Sequence, residues 1–95
     1  MFLLLEPEKG KEKLNLEISN AGVRIAPSKG VTAYTVWLSC AGPDGCLQLD
    51  LQYGSMEKMM RMYDGICLLM GSGVTYGSVA ELEAAAFSAS GEVSP

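Results

Sequence analysis

The sequence contains no histidine among its 95 residues, which argues against much of enzyme chemistry. Histidine is the commonest general base, the usual partner of a nucleophilic serine or cysteine, and the commonest metal ligand. The three cysteines, Cys40, Cys46 and Cys67, form no C-x-x-C pair, so they predict neither a zinc knuckle nor a redox dithiol. We therefore expect a protein that is not an enzyme and that binds no cofactor or metal.

Long apolar runs are lacking as well. The N-terminal run MFLLL is too short for a membrane span or a signal-peptide core, and no basic residue flanks it. Unpaired cysteines fit a reducing compartment. These two observations predict a cytoplasmic protein that does not associate with membranes.

Basic residues are missing from the last third of the chain. Residues 62–95 hold four acidic residues and no Lys or Arg, so the net charge of −4 arises there. Such a region disfavours nucleic acid and suits a basic protein partner, which makes Glu81 and Glu83 candidate partner-binding residues. The simpler interpretation is a charge surplus that keeps the protein soluble.

The first half of the chain alternates apolar and polar residues in steps of two, which is typical of half-buried strands. The pattern is clear in KLNLEIS at 13–19, and NAG at 20–22 predicts a turn before it resumes. A longer strand follows over 31–40, then a hairpin at AGPDG, then CLQLDLQY at 46–53. We predict an antiparallel β-meander of about four to five strands within residues 2–53.

The register of the last hairpin decides where Trp37 lies. Burying the apolar residues of both strands together requires pairing Leu38 with Leu49, because a slip by one residue would turn one apolar set to water. Cys40 and Cys46 then point to opposite faces and cannot form a disulfide. Trp37 falls on the other, polar face, beside Gln48, Asp50 and Gln52.

The second half changes to a helical period of 3.6 residues. Two helices are predicted, at about 55–70 and 78–90, with Ser55 and Ser78 as N-caps. The first has an apolar stripe that should face the core, made of Met56, Met59, Met60, Tyr63, Ile66, Cys67 and Met70. The fold class is therefore α+β: one small domain over residues 1–95, with both helices on one sheet face and a frayed tail at 91–95.

The linker between the helices contains a glycine series from Gly71 to Gly77 that resembles a phosphate-binding loop. Glycines at a helix N-terminus let backbone N–H groups approach an anion. However, the spacing is one residue too long for a dinucleotide fingerprint, and no Gly-Lys-Ser/Thr follows. An inter-helix connection is the preferred interpretation.

Two further features suggest partner-binding surfaces, each with a structural alternative. Trp37 could anchor a partner, or the N-terminal segment Phe2–Leu5 could cover it as a second core. Met62, Gly65 and Leu69 share a second apolar side of the first helix. They could form a homodimer or partner interface, or pack against the second helix.

We therefore predict a non-catalytic protein-binding module that occupies a partner's surface. In size and charge the chain resembles small phage-encoded inhibitors, including anti-CRISPR proteins, which implies a phage or mobile-element inhibitor. The alternative is a structural or accessory subunit that self-associates through the Met-rich helix. A small enzyme or nucleotide binder using the Gly71–Gly77 loop is the third hypothesis.

Overall fold

The computed structural model describes residues 1–5, 14–42 and 45–91. Seven elements follow one another in this part of the chain. They are β1 (Phe2–Leu5), β2 (Leu14–Ser28), β3 (Val31–Gly42), β4 (Gly45–Tyr53), α1 (Met56–Leu69), β5 (Thr75–Tyr76) and α2 (Val79–Ala89). The predicted α+β fold is confirmed, and the two helices begin and end within a residue or so of their predicted limits.

The strands form one sheet in the order β4-β3-β2-β1-β5, and all neighbours are antiparallel except β1 and β5. The parallel β5 was not predicted. It is only two residues long and lies inside the Gly-rich linker, where no alternation of side chains marks a strand. Because it pairs with β1, it anchors the linker to the sheet.

The predicted turn at 20–22 is wrong, because β2 continues through it as a single strand of 15 residues. A register shift between Ile18 and Asn20 marks a β-bulge there. Apolar residues occupy even positions up to Ile18 and odd positions from Ala21 onward, so one extra residue is needed to keep both sets on the same face. The change of parity was visible in the sequence, and it indicated a bulge rather than a turn.

The predicted register of the last hairpin is confirmed, with Leu38 opposite Leu49 and Trp37 opposite Asp50. One sheet face therefore carries the leucines, and both helices pack on it. The core contains residues from every element except β4 and β5. Its fully buried members include Leu3, Leu38, Met59, Met62, Ile66 and Leu82.

The predicted core stripe of α1 is only partly correct. Met59 and Ile66 are buried, but Met56, Met60 and Cys67 of that stripe are exposed. The buried arc is rotated toward Met62, because α1 packs against the sheet and against α2 at the same time. A helix that contacts two neighbours buries the side between them rather than its widest apolar stripe.

Candidate functional site

The two faces of the sheet differ in what covers them. The helix face carries Leu16, Leu38 and the other core residues, and both helices pack on it. The open face is the opposite side, which carries Arg24, Trp37, Asp50 and the residues that alternate with them. No helix within residues 1–5, 14–42 and 45–91 packs on the open face. The predicted group of Trp37, Gln48, Asp50 and Gln52 lies there.

Trp37 is held on the open face by a glycine of the neighbouring strand. Gly22 pairs directly with Trp37, and a Cβ atom at Gly22 would overlap the indole ring at Cζ2 and Cε2. The ring therefore lies across the backbone of β2 in the space that any other residue would fill. Trp37 remains partly exposed in this position.

The N-terminal segment does not cover Trp37. Phe2–Leu5 forms β1 within the same sheet, and β2 separates it from β3. The alternative of a second core over Trp37 is therefore wrong. Phe2 and Leu4 pair with Glu17 and Asn15, so they extend the open face instead of burying it.

A polar cluster of three side chains lies beside the indole. The Arg24 guanidinium donates to Asp50 Oδ2 at 3.1 Å, and Gln48 Nε2 donates to Asp50 Oδ1 at 3.0 Å. Arg24 lies opposite Thr35 on one side of β3 and Asp50 lies opposite Trp37 on the other, so this ion pair spans β3 diagonally. Thr35, on the same face of β3, is buried, with 2% of its surface exposed.

The hydrogen bonds of this cluster lower the pKa of Asp50. The hydrogen bond from Gln48 and the one from Arg24 lower the pKa of the Asp50 carboxyl, and the nearby Arg24 charge adds to this effect. Asp50 therefore stays ionised below the ordinary range of aspartate. The open face presents a hydrogen-bonded carboxylate next to an aromatic ring, while about half of the Arg24 side chain stays exposed.

Arg24 and Gly22 are the residues of this site that the sequence interpretation missed. Gly22 was assigned to a turn, and Arg24 was not singled out. An isolated glycine inside an alternating stretch is also a signal of close backbone approach, and that signal would have found the Trp37 contact. The bulge is what brings Arg24 onto the same face as Trp37, because it shifts the parity of β2.

The second predicted surface is largely internal. Met62 and Gly65 are buried, and a Cβ atom at Gly65 would overlap the backbone carbonyl of Ala86 in α2. Leu69 is half-buried against the core. The packing alternative therefore describes this side of α1, and the buried Met62 and Gly65 are not accessible to a partner.

Glu81 and Glu83 both have contacts within the chain. Glu81 Oε2 accepts a 2.7 Å hydrogen bond from the Gly77 N–H, and the Glu81 N–H donates to Ser78 Oγ. This is a reciprocal cap at the N-terminus of α2. Glu83 Oε2 accepts from the Tyr53 hydroxyl at 3.2 Å. Both carboxylates thus have structural roles.

The same cap bears on the phosphate-loop hypothesis. An anion at the N-terminus of α2 would need the backbone N–H groups that Glu81 and Ser78 already engage. The carboxylate of Glu81 also places a negative charge where a phosphate would bind. Nothing in this geometry favours the nucleotide-binding hypothesis.

The described residues show few other features that could bind a ligand or react with one. These residues contain no group of three side chains that could hold a metal ion. An open depression of about 370 Å³ lies where β4 leaves the sheet, lined by Lys29, Val31, Gln52 and Tyr53 among others. Cys46 and Cys67 are exposed, and burial raises the pKa of the Cys40 thiol. None of the described helices is long and apolar enough to cross a membrane.

Comparison of the chain with protein-family models, with curated proteins and with solved structures finds no match. The open face around Trp37 is therefore identified as the candidate binding surface from its own geometry. The helix face forms the packed core.

Proposed function

We propose that this protein is a non-catalytic binding module that docks on a partner protein through the open face of its sheet. The observation that carries the proposal is the placement of Trp37. A tryptophan on a sheet face that no described helix covers is held against Gly22 and stays partly exposed. Rigid aromatic residues of this kind are enriched among the residues that dominate binding energy at protein interfaces.

The polar cluster supports the same proposal. A binding surface needs orienting polar groups around its apolar anchor, and Asp50 is held in place by Gln48 and Arg24. Asp50 and the exposed Gln48 and Gln52 form a hydrogen-bonding rim beside the indole. The ionised carboxylate would pair with a basic or hydrogen-bond-donating group of the partner. The likeness to small phage-encoded inhibitors stays a prediction from size and charge.

Comparative capture from the source cell tests this function. Wild-type protein and a Trp37→Ala variant would be immobilised at equal density, and the retained proteins compared quantitatively. We expect at least one protein to be retained by the wild type and lost from Trp37→Ala. A hot-spot aromatic costs about 2 kcal/mol or more when truncated, which corresponds to at least about 30-fold weaker binding. The retained protein is then purified and titrated against the intrinsic fluorescence of Trp37.

Leu68→Ala is the matched control. Leu68 is a large apolar residue, 66% exposed, and it lies on α1, away from the open face. Its truncation should leave capture unchanged. If Trp37→Ala folds with the wild-type circular dichroism spectrum and binds the purified partner with the wild-type affinity, the open face is not the docking surface.

A further inference from the structure

The two edges of the sheet are not equally protected. On the β5 side, β1 pairs with only the first four residues of β2, so the rest of β2 has no described partner there, but that stretch carries the bulge, Arg24 and Pro27. On the other side, β4 is an edge strand over all nine of its residues, Gly45–Tyr53. Within residues 1–5, 14–42 and 45–91, no strand pairs with the outer side of β4. Alternate residues of β4 therefore direct their backbone N–H and C=O groups away from β3.

In the described part of the chain, few of the usual devices that prevent pairing protect the outer edge of β4. Proteins protect edge strands with prolines, bulges or charged residues, especially lysine. β4 contains no proline, its register with β3 is continuous, and Asp50 is its only charged residue. On the helix face of this strand, Leu47 is 42% exposed and Leu49 and Leu51 are half-buried. An edge with these properties favours the addition of another strand.

The sequence of β4 is complementary to itself when two copies run antiparallel. If Leu49 lies opposite Leu49 of a second copy, all nine residues overlap and Leu47 lies opposite Leu51. Gln48 then lies opposite Asp50, so an amide faces each carboxylate on the open face. Apolar residues meet apolar residues, and no like charges are opposed.

Other antiparallel registers that keep the two faces aligned are poorer. A shift that centres Asp50 places two carboxylates directly opposite each other, which is destabilising. A shift that centres Gln48 places Asp50 opposite Cys46 and shortens the overlap. With the two-fold axis at Leu49, apolar residues lie opposite each other, no like charges are opposed and all nine residues of β4 overlap.

The exposed side of α1 continues this surface. Its backbone lies over β2, β3 and β4, whereas α2 lies closest to β1 and β5. Met60 and Cys67 are exposed and lie about 150° around the helix from Gly65, which contacts α2. This side of α1 is therefore turned away from α2, on the β4 side of the molecule. A second copy paired along β4 would cover both the leucines and these residues.

We propose that the protein forms a homodimer in which β4 pairs antiparallel with β4 of a second copy, with the two-fold axis at Leu49. The product joins the five described strands of each copy into one continuous sheet, with both Trp37 residues on the same open face. This interface is distinct from the Met62 side of α1, and it does not depend on whether the open face binds a partner.

Sedimentation equilibrium and directed crosslinking test the proposal together. We expect the wild type to sediment as a concentration-dependent dimer. For crosslinking, a C46S/C67S background removes the exposed thiols, and single cysteines are introduced as Leu47→Cys, Leu49→Cys or Leu51→Cys. Directly opposed residues in such a pair have Cα atoms about 4.5–5.5 Å apart, which suits a disulfide. Under mild oxidation Leu49→Cys should crosslink at least about tenfold faster than the other two, because only this position faces itself.

A charge substitution supplies the matched comparison. Leu47→Arg places a cation among the apolar residues of the interface and should give a monomer. Leu68→Arg introduces the same group at an exposed position outside the interface and should leave the dimer intact. The proposal is overturned if the wild type is a monomer at every concentration. Crosslinking that favours position 47 or 51, or none at position 49, would contradict the register at Leu49.

Discussion

On both sides of this sheet a glycine lets another group approach closely, but the approaching groups differ. On the helix face, Gly65 of α1 meets the backbone carbonyl of Ala86 in α2. On the open face, Gly22 of β2 meets the indole ring of Trp37. A backbone segment inside a packed helix pair cannot move without repacking the core, whereas a side chain on an open face can rotate into solvent.

This difference separates residues that hold the fold from residues that serve binding. On the helix face, burial of the core leucines, Met59, Met62 and Ile66 stabilises the folded state. The open face contributes little burial, yet it holds Trp37 and Asp50 in defined positions. Order without much burial is the feature that suggests a binding role for the open face.

The largest effect is expected from Gly65→Ala. The added methyl group would overlap the Ala86 carbonyl, and forcing the helices apart should cost about 3 kcal/mol. Alanine regains roughly 1 kcal/mol over glycine in a helix interior, so the net loss of unfolding free energy is about 2 kcal/mol. Urea unfolding followed by far-UV circular dichroism measures it.

Gly73→Ala is the control for this substitution. Gly73 lies in the linker, and a Cβ atom there would meet no heavy atom within 4 Å. Its stability should remain close to that of the wild type. Equal stabilities for Gly65→Ala and the wild type would show that α1 and α2 can separate at Gly65 without loss of stability.

Gly22→Ala should change the unfolding free energy less than Gly65→Ala does, but it should move the Trp37 indole. The methyl group would displace the Trp37 indole, and holding the ring away from a favoured rotamer costs about 1 kcal/mol. Alanine recovers about 0.5–1 kcal/mol over glycine within a strand, so the net change in unfolding free energy should be near zero. The emission maximum of Trp37, the chain's single tryptophan, should shift to longer wavelength as the ring becomes more exposed.

The affinity of Gly22→Ala for a partner tests whether the position of the Trp37 indole matters for binding. If the open face is the docking surface, Gly22→Ala should weaken binding although the Trp37 side chain is still present. An unshifted emission spectrum would mean that the indole does not lie over Gly22. A shifted spectrum with unchanged binding would show that the position of the indole is not what the partner recognises.

The helix face was more predictable from the sequence than the open face, for a physical reason. Burial imposes periodicity, so the strand pattern and register of β4 were predicted correctly, although Leu47 is exposed. The N-caps of both helices were also predicted correctly, because Ser at a helix start is a local signal. The packing of α1 against α2 was left as an alternative, because an apolar helix side does not reveal which neighbour covers it. β5 was missed because two residues carry no period.

The open face was predictable only in part. The hairpin register placed Trp37 beside Asp50, and the structure confirms this. The contribution of Arg24 depends on the bulge in β2, and Gly22 resembles a turn residue when the strand is read alone. Contacts between distant strands, such as the ion pair between Arg24 and Asp50, arise from sheet order rather than from local pattern.

The smallest effects are expected from single ionisable groups, and the two faces should show them at opposite ends of the pH range. On the helix face, burial and the nearby Glu83 carboxylate raise the pKa of Tyr53 well above its ordinary value. A raised tyrosine pKa stabilises the fold below about pH 10, and this contribution is lost at higher pH. On the open face, the pKa of Asp50 is lowered, so its contribution is present above about pH 4 and is lost as pH falls.

Tyr53→Phe and Asp50→Asn test this contrast by urea unfolding across the pH range. At neutral pH, Tyr53→Phe removes the hydrogen bond to Glu83 and should cost about 1 kcal/mol or less. Because phenylalanine has no proton to lose, the difference from the wild type should shrink above about pH 10 and stay constant below it. Asp50→Asn should instead converge with the wild type only at acid pH. If both variants converged with the wild type at the same end of the range, the two faces would not differ electrostatically in the way that their contacts imply.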